Sequence, residues 1–217
     1  MPYIAAPAFR PASITWTIDS PSGVNVSAYT GTRSVQANPW HCKWSAHVQL
    51  ATIQGQNGFS PIMSFIARCR GSTNFFRLNA VVGPQNNNSG VTVANTAVAG
   101  SSQLSLSGYA TPLAEGQFFT VNGQLCCLVG DQAGTVVMFE PRLRETAVAG
   151  TPVATSTPYA LVYMTSPQFG YRIGPARMFD TSFDVEEAVL AHGGLQYVTF
   201  DETDVSNDET DVRWDEA

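Results

Sequence analysis

Three residue groups in this chain could do chemistry: the histidines His41, His47 and His192, the cysteines Cys42, Cys69, Cys126 and Cys127, and a dense run of carboxylates after residue 200. His41 and His47 stand on the polar side of an alternating segment, six residues apart. At strand rise that separation is roughly 20 Å, too far to share a metal ion. His192 precedes Gly193-Gly194, the signature of a turn. Cys42 and Cys69 fall on apolar faces, and Cys126-Cys127 are adjacent, so on a strand they point to opposite sides. With no C-x-x-C pair, neither zinc nor a disulfide framework is indicated, and all four read as reduced core residues. The carboxylates lie where nothing holds two of them at the fixed separation that acid–base catalysis needs. Gly130 to Gly134 offers one carboxylate, Asp131, where a calcium loop supplies several, and reads as a hairpin turn. Phe118, Phe119, Trp40 and Trp44 could stack bases or sugars, but they lack basic neighbours and read as core. No nucleophile elbow, phosphate loop or dinucleotide fingerprint occurs in the required context. The expectation is a chain with no catalytic, cofactor-binding or metal-binding residues.

The elements that would position these groups are clearest between Pro39 and Pro84. Trp40, Cys42, Trp44, Ala46, Val48 and Leu50 occupy every second position, the period of a half-buried strand. Ser60-Pro61 looks like an N-cap followed by proline at the first helical position. Ile62, Met63, Phe65, Ile66 and Cys69 then form one apolar stripe that closes at Gly71, which predicts the only helix, over about 60–70. Phe75, Phe76, Leu78, Val81 and Val82 return the chain to a strand before Gly83-Pro84 breaks it. Upstream, Ile14–Ile18 and Val24–Tyr29 alternate around a turn at 19–23, which predicts a hairpin or meander.

Downstream, residues 84–90 read Pro-Gln-Asn-Asn-Asn-Ser-Gly and contain no apolar anchor, the mark of a domain junction. Short β segments follow near 91–93, 103–108, 117–121, 124–129 and 135–139, with Asn122-Gly123 as a hairpin turn. That density predicts a small barrel or sandwich. Tyr159–Met164 adds one more strand, and Phe179–Leu190 reads as a closing strand. If that last strand pairs with those of residues 13–82, the small module interrupts an outer domain.

The fold expectation is therefore mainly β. An outer sandwich, residues 1–83 plus 166–200, carries one short helix. Residues 84–165 form an inserted small β domain, and 201–217 a flexible acidic tail. Of the seventeen acidic residues eight lie in 201–217 with one base, Arg213, leaving nine acids against ten bases elsewhere. Such a neutral body has no basic field for nucleic acid. The tail repeats Asp-Glu-Thr-Asp-Val at 201–205 and 208–212, and with Trp214 as an anchor it could also dock in a basic groove. With no signal-peptide pattern and no run of eighteen apolar residues, the expectation is a soluble chain made in the cytoplasm, without a membrane span.

The order of motifs resembles the distal tail proteins of long-tailed bacteriophages, over roughly residues 13–190. It runs from the aromatic strand and a helix ending in Arg70-Gly71 through Asn74-Phe75-Phe76-Arg77-Leu78 and the polar junction. Glu115-Gly116-Gln117-Phe118-Phe119, then Glu140-Pro141-Arg142-Leu143-Arg144, and finally Phe179 to Ala188 complete it. The resemblance implies a non-enzymatic virion protein of the tail tip, assembled in the bacterial host. Its outer sandwich would form a ring, commonly a hexamer, joining the tail tube protein to the hub, with receptor-binding fibres as further partners. The acidic repeat is not part of that pattern. Two other readings stand beside it: a carbohydrate-binding or other accessory β module of a virion, which would expose aromatics such as Tyr109 or Phe118, and a hydrolase with scattered catalytic residues.

Overall fold

A computed structural model describes residues 3–6, 11–37, 42–166 and 168–188. Five strands, β1 (Pro11–Asp19), β2 (Ser22–Val26), β3 (Arg33–Ala37), β4 (Lys43–Leu50) and β5 (Ile53–Gln54), precede the α-helix α1 (Gln56–Cys69), and β6 (Phe76–Asn79) follows it. Next come β7 (Thr92–Val93), β8 (Gln103–Ser107), β9 (Phe118–Val121), β10 (Gln124–Leu128), β11 (Val136–Glu140) and β12 (Val153–Ala154). The chain then forms β13 (Tyr159–Met164), β14 (Tyr171–Gly174) and β15 (Met178–Glu187). The molecule is mainly β, with sandwich- and barrel-like sheets.

One sheet has the order β1-β4-β15-β13-β6, with β5 and β14 pairing the first half of β15. The expected alternation of β4 puts Trp44, Ala46, Val48 and Leu50 into the core, where α1 covers them with Phe59, Ile62, Phe65, Ile66 and Cys69. The closing strand pairs β4 from Ser182↔Gln49 to Glu186↔Ser45. Every pairing along this path is antiparallel, so β1, β15 and β6 all run the same way. The outermost strands β1 and β6 face one common cleft, which means that the sheet curls.

Three details differ from the sequence pattern. The helix starts at Gln56 rather than at Ser60, with Gly55 as N-cap at φ +80°. Phe59, 1% exposed and stacked on Phe179 at 4.5 Å, requires that extra turn. Pro61 then lies inside the helix and cannot satisfy the carbonyl of Asn57, a small cost because Asn57 is exposed. Secondly, β1 and β2 turn where expected but do not pair: β1 pairs β4, and β2 pairs β3. The indole of Trp16 meets that of Trp44 edge to face at 6.4 Å, so burial draws β1 to β4. Thirdly, Tyr159–Met164, which the pattern assigns to the insert ending at 165, is hydrogen-bonded between β6 and β15 in the large sheet.

Residues 92–154 make the second sheet, in the order β12-β9-β10-β11-β8-β7. Its two edge strands meet: Thr92 bridges Pro152, Val93 N–H donates to Thr151 O and Val153 N–H to Val91 O, both at 2.9 Å. The sheet is thereby barrel-like, around a core of Leu104, Leu106, Val121, Leu128, Val137 and the edge-to-face pair Phe119 and Phe139. The Asn122-Gly123 turn is formed as expected, with both residues at positive φ, +51° and +78°. The pentapeptide Thr-Ala-Val-Ala-Gly occurs at 96–100 and again at 146–150, and the two copies lie across a local two-fold. Ala97 and Ala147 exchange both backbone hydrogen bonds at 2.9 Å, Thr146 Oγ1 accepts from Ala99 N–H, and Thr96 Oγ1 accepts from Ala149 N–H.

Candidate functional site

The groups that could have done chemistry are scattered. His47 sits on the exposed face of β4 with Nδ1 2.6 Å from Asp184 Oδ1, while His41, His192, Trp40 and the acidic tail with Trp214 lie outside the described residues. Among the described residues no three His, Cys, Asp or Glu side chains converge as metal ligands. Cys69 and Cys126 are buried in different cores, Cys42 and Cys127 are half-buried, and no disulfide joins them. Burial pushes the Cys69 thiol up to about 11, and burial also raises that of Cys126 well above its ordinary value, with the nearby Glu187 carboxylate adding to the effect. Such thiols are poor nucleophiles. Phe119 is fully buried, Phe118 packs edge to face on Trp44 at 5.6 Å, and the Tyr109 hydroxyl donates to Gly134 O at 2.9 Å. Residues 130–134 form the β10–β11 turn, where Asp131 Oδ1 accepts from Glu115 N–H.

Two places remain where side chains are organised beyond simple packing. The first is the junction of the two sheets. Glu187, 0% exposed at the end of β15, accepts from Arg144 Nη2 at 2.7 Å and Trp44 N–H at 3.1 Å through Oε2, and from Leu125 N–H at 2.8 Å through Oε1. Arg144 Nη2 also donates to Cys42 O, and the Trp44 indole N–H to Leu125 O at 3.0 Å. Gln124 orients Arg144 by accepting from its backbone N–H at 2.9 Å and donating to Arg142 O at 2.8 Å. Strand β10 is the shared element: Leu125 belongs to the large core, Cys126 and Leu128 to the small one. A buried carboxylate with three donors is a joint rather than a reactive acid, because its lone pairs are already committed.

The second is the cleft between β1 and β6, of about 490 Å³, bordered by Pro11–Ile14, Trp16, Arg77–Val82 and Tyr3. Ile14 and Trp16 point to the core side yet are only half-buried, unlike Trp44, Ala46 and Val48 beside them. The Trp16 indole nitrogen is buried and has no hydrogen-bond partner among the described residues. Among the described residues Arg77 is the one charged residue bordering the cleft, its guanidinium 4.4 Å from the centre of the Tyr159 ring and 5.4 Å from that of Tyr3.

Sequence pattern alone finds neither place. Arg144 and Glu187 appear only as letters in two motifs, and their meeting depends on how the sheets pack. The repeated pentapeptide did carry a signal, an identical five-residue word at a spacing of fifty. Among the described residues no helix is long and apolar enough to cross a membrane. The fold and these two places define a mainly β protein in which one sheet interrupts another. No family model matches the chain, and no curated protein matches it.

Proposed function

We propose that this chain is a structural protein of a bacteriophage tail tip, of the distal tail type. Its large sheet forms a ring that continues the tail tube, and the barrel-like sheet of residues 92–154 projects from it. The partners are copies of itself, commonly six in this type, the tube protein, the hub protein and receptor-binding fibres. It is a virion component assembled in the host cytoplasm, with no catalytic step of its own. The observation that carries the reading is topological: β6 and β13 are hydrogen-bonded neighbours in one sheet, yet the chain between them builds a second sheet. That is the architecture the motif order implies for a ring domain with an insert. The buried Arg144–Glu187 joint supports it, because a projecting module that bears load needs a fixed root.

Light scattering and negative-stain imaging of the purified chain test this reading. A closed cyclic oligomer with head-to-tail contacts is expected. A strict monomer at high concentration overturns it.

A further inference from the structure

We propose that the side-chain amide of Gln85 stands in for one residue of a strand, closing the outer edge of β9 and fixing the point at which the chain leaves the barrel-like sheet for the large one. The register of β9 with β12 sets up the need. Val121 pairs Val153 and Thr120 pairs Ala154, so the antiparallel ladder, if it ran on, would next hydrogen-bond Phe118 to Ser156. It does not run on. β12 ends at Ala154, and from Tyr159 the chain belongs to the large sheet as β13, between β6 and β15.

The carboxamide of Gln85 takes the position that Ser156 would hold. Phe118 N–H donates to Gln85 Oε1 at 3.3 Å, and Gln85 Nε2 donates to Phe118 O, the same exchange that a peptide group across the ladder makes. Nε2 also donates to Thr155 O at 2.7 Å, and the backbone N–H of Gln85 donates to Ser156 O at 3.0 Å. Gln85 therefore lies between β9 and the departing chain and is bonded to both. Its neighbours hold it there. Asn86 Nδ2 donates to Thr155 O at 3.0 Å and Ser156 Oγ to Asn86 O at 2.8 Å, while Asn88, 5% exposed, accepts from the N–H groups of Ala110 and Thr111 at 2.9 and 2.8 Å. At the crossing stands Pro158, which has no N–H to continue a ladder. Just beyond it the Thr120 hydroxyl accepts from Tyr159 N–H at 2.7 Å and donates to Tyr159 O at 2.6 Å.

The polar run at 84–90 is thus a fitted strap rather than a slack linker, anchored by amides where an ordinary strand is anchored by apolar side chains. An apolar residue at 85 would leave both backbone groups of the half-buried Phe118 without a partner, a loss that an exposed linker never incurs. Only glutamine and asparagine carry an amide donor and a carbonyl acceptor on one flat side-chain group. Because Gln85 also holds Thr155 and Ser156, it positions the exit of the chain as well as capping the edge of β9. The device belongs to the single chain and does not depend on ring formation.

Hydrogen exchange of the full chain, read at single amides by mass spectrometry, tests the proposal. In the wild type the Phe118 amide should exchange about tenfold or more slowly than in a free peptide of the same sequence. Gln85→Met keeps a side chain of similar length without the amide. It should accelerate Phe118 by about tenfold, and also accelerate Tyr159, which is bonded to Thr120 rather than to Gln85, while Phe139 on β11 keeps its wild-type rate. Free-peptide exchange at Phe118 in the wild type overturns the proposal, whether or not the variant folds. Wild-type exchange at Phe118 in Gln85→Met overturns it as well, because size alone then suffices. So does unchanged exchange at Tyr159, which would mean that Gln85 caps β9 without positioning the exit, or equal acceleration at Phe139, which would mean a loss of global stability only. Light scattering on the same samples reports ring assembly separately.

Discussion

The guanidinium of Arg144 lies 2.7 Å from the carboxylate of Glu187, 43 positions away, and that pair ties the barrel-like sheet to the end of β15. Both groups are at least nine-tenths buried, so removing either partner strands the other charge away from water. Glu187→Gln and Arg144→Met should each lower the unfolding free energy by about 3–5 kcal/mol, read from urea midpoints. The double variant Arg144→Met/Glu187→Gln should cost clearly less than the sum. Additive losses would mean that the two groups act separately.

Gly123 is fixed by both turn and neighbour. Its φ of +78° disfavours any side chain, and an added Cβ would fall 2.4 Å from Leu161 Cδ1. Gly123→Ala should lower the melting temperature, with about 1–2 kcal/mol from the backbone and a further part from the contact. Adding Leu161→Ala should remove the contact yet leave the backbone penalty visible in G123A/L161A against L161A. Equal melting temperatures for those two proteins would refute the backbone argument.

Thiol labelling should follow burial. At pH 8 the native chain should react with iodoacetamide at half-buried Cys42 well before Cys69 or Cys126, which are 0% exposed and have raised pKa values. In denaturant the order should vanish. Rapid native modification of Cys69, mapped by peptide mass spectrometry, would contradict the helix packing.

Stability should fall in alkaline solution. The hydrogen bond to Glu186 raises the Lys43 pKa, and burial followed by the charge of Glu186 raises that of Tyr163. Both groups hold their protons more tightly folded than unfolded, so their stabilisation is complete below the ordinary values near pH 10. It is lost as pH climbs through the raised folded values. Melting temperature should therefore drop as pH rises above about 10, and drop less in Glu186→Gln. An identical slope in that variant would remove Glu186 from the account.

The two pentapeptides should respond alike. Thr96→Val leaves the Ala149 N–H without its acceptor and Thr146→Val does the same to Ala99 N–H. Each should cost about 0.5–1.5 kcal/mol in chemical denaturation. A large cost at one site and none at the other would break the equivalence of the two copies.

Local elements were legible where residue type and period point the same way. The face of β4, the end of α1 near Gly71 and the Asn122-Gly123 turn each follow from a few adjacent residues, because side-chain alternation, an αL cap and positive φ are local properties. The helix start was not, since Ser60-Pro61 imitates a cap while the burial of Phe59 against Phe179 sets the true boundary. Phe179 lies 120 positions away, beyond the reach of any local rule.

Sequence by itself determined that the chain is mainly β, where its strands lie apart from β3, β5, β12 and β14, and that a polar junction at 84–90 separates two runs of them. Only the tertiary structure decided which strands are neighbours, placing Tyr159–Met164 beside β6. It alone brought Arg144 to Glu187. The reason is physical: strand formation follows from backbone preference and side-chain period, whereas strand order and buried charge pairing follow from which surfaces exclude water together.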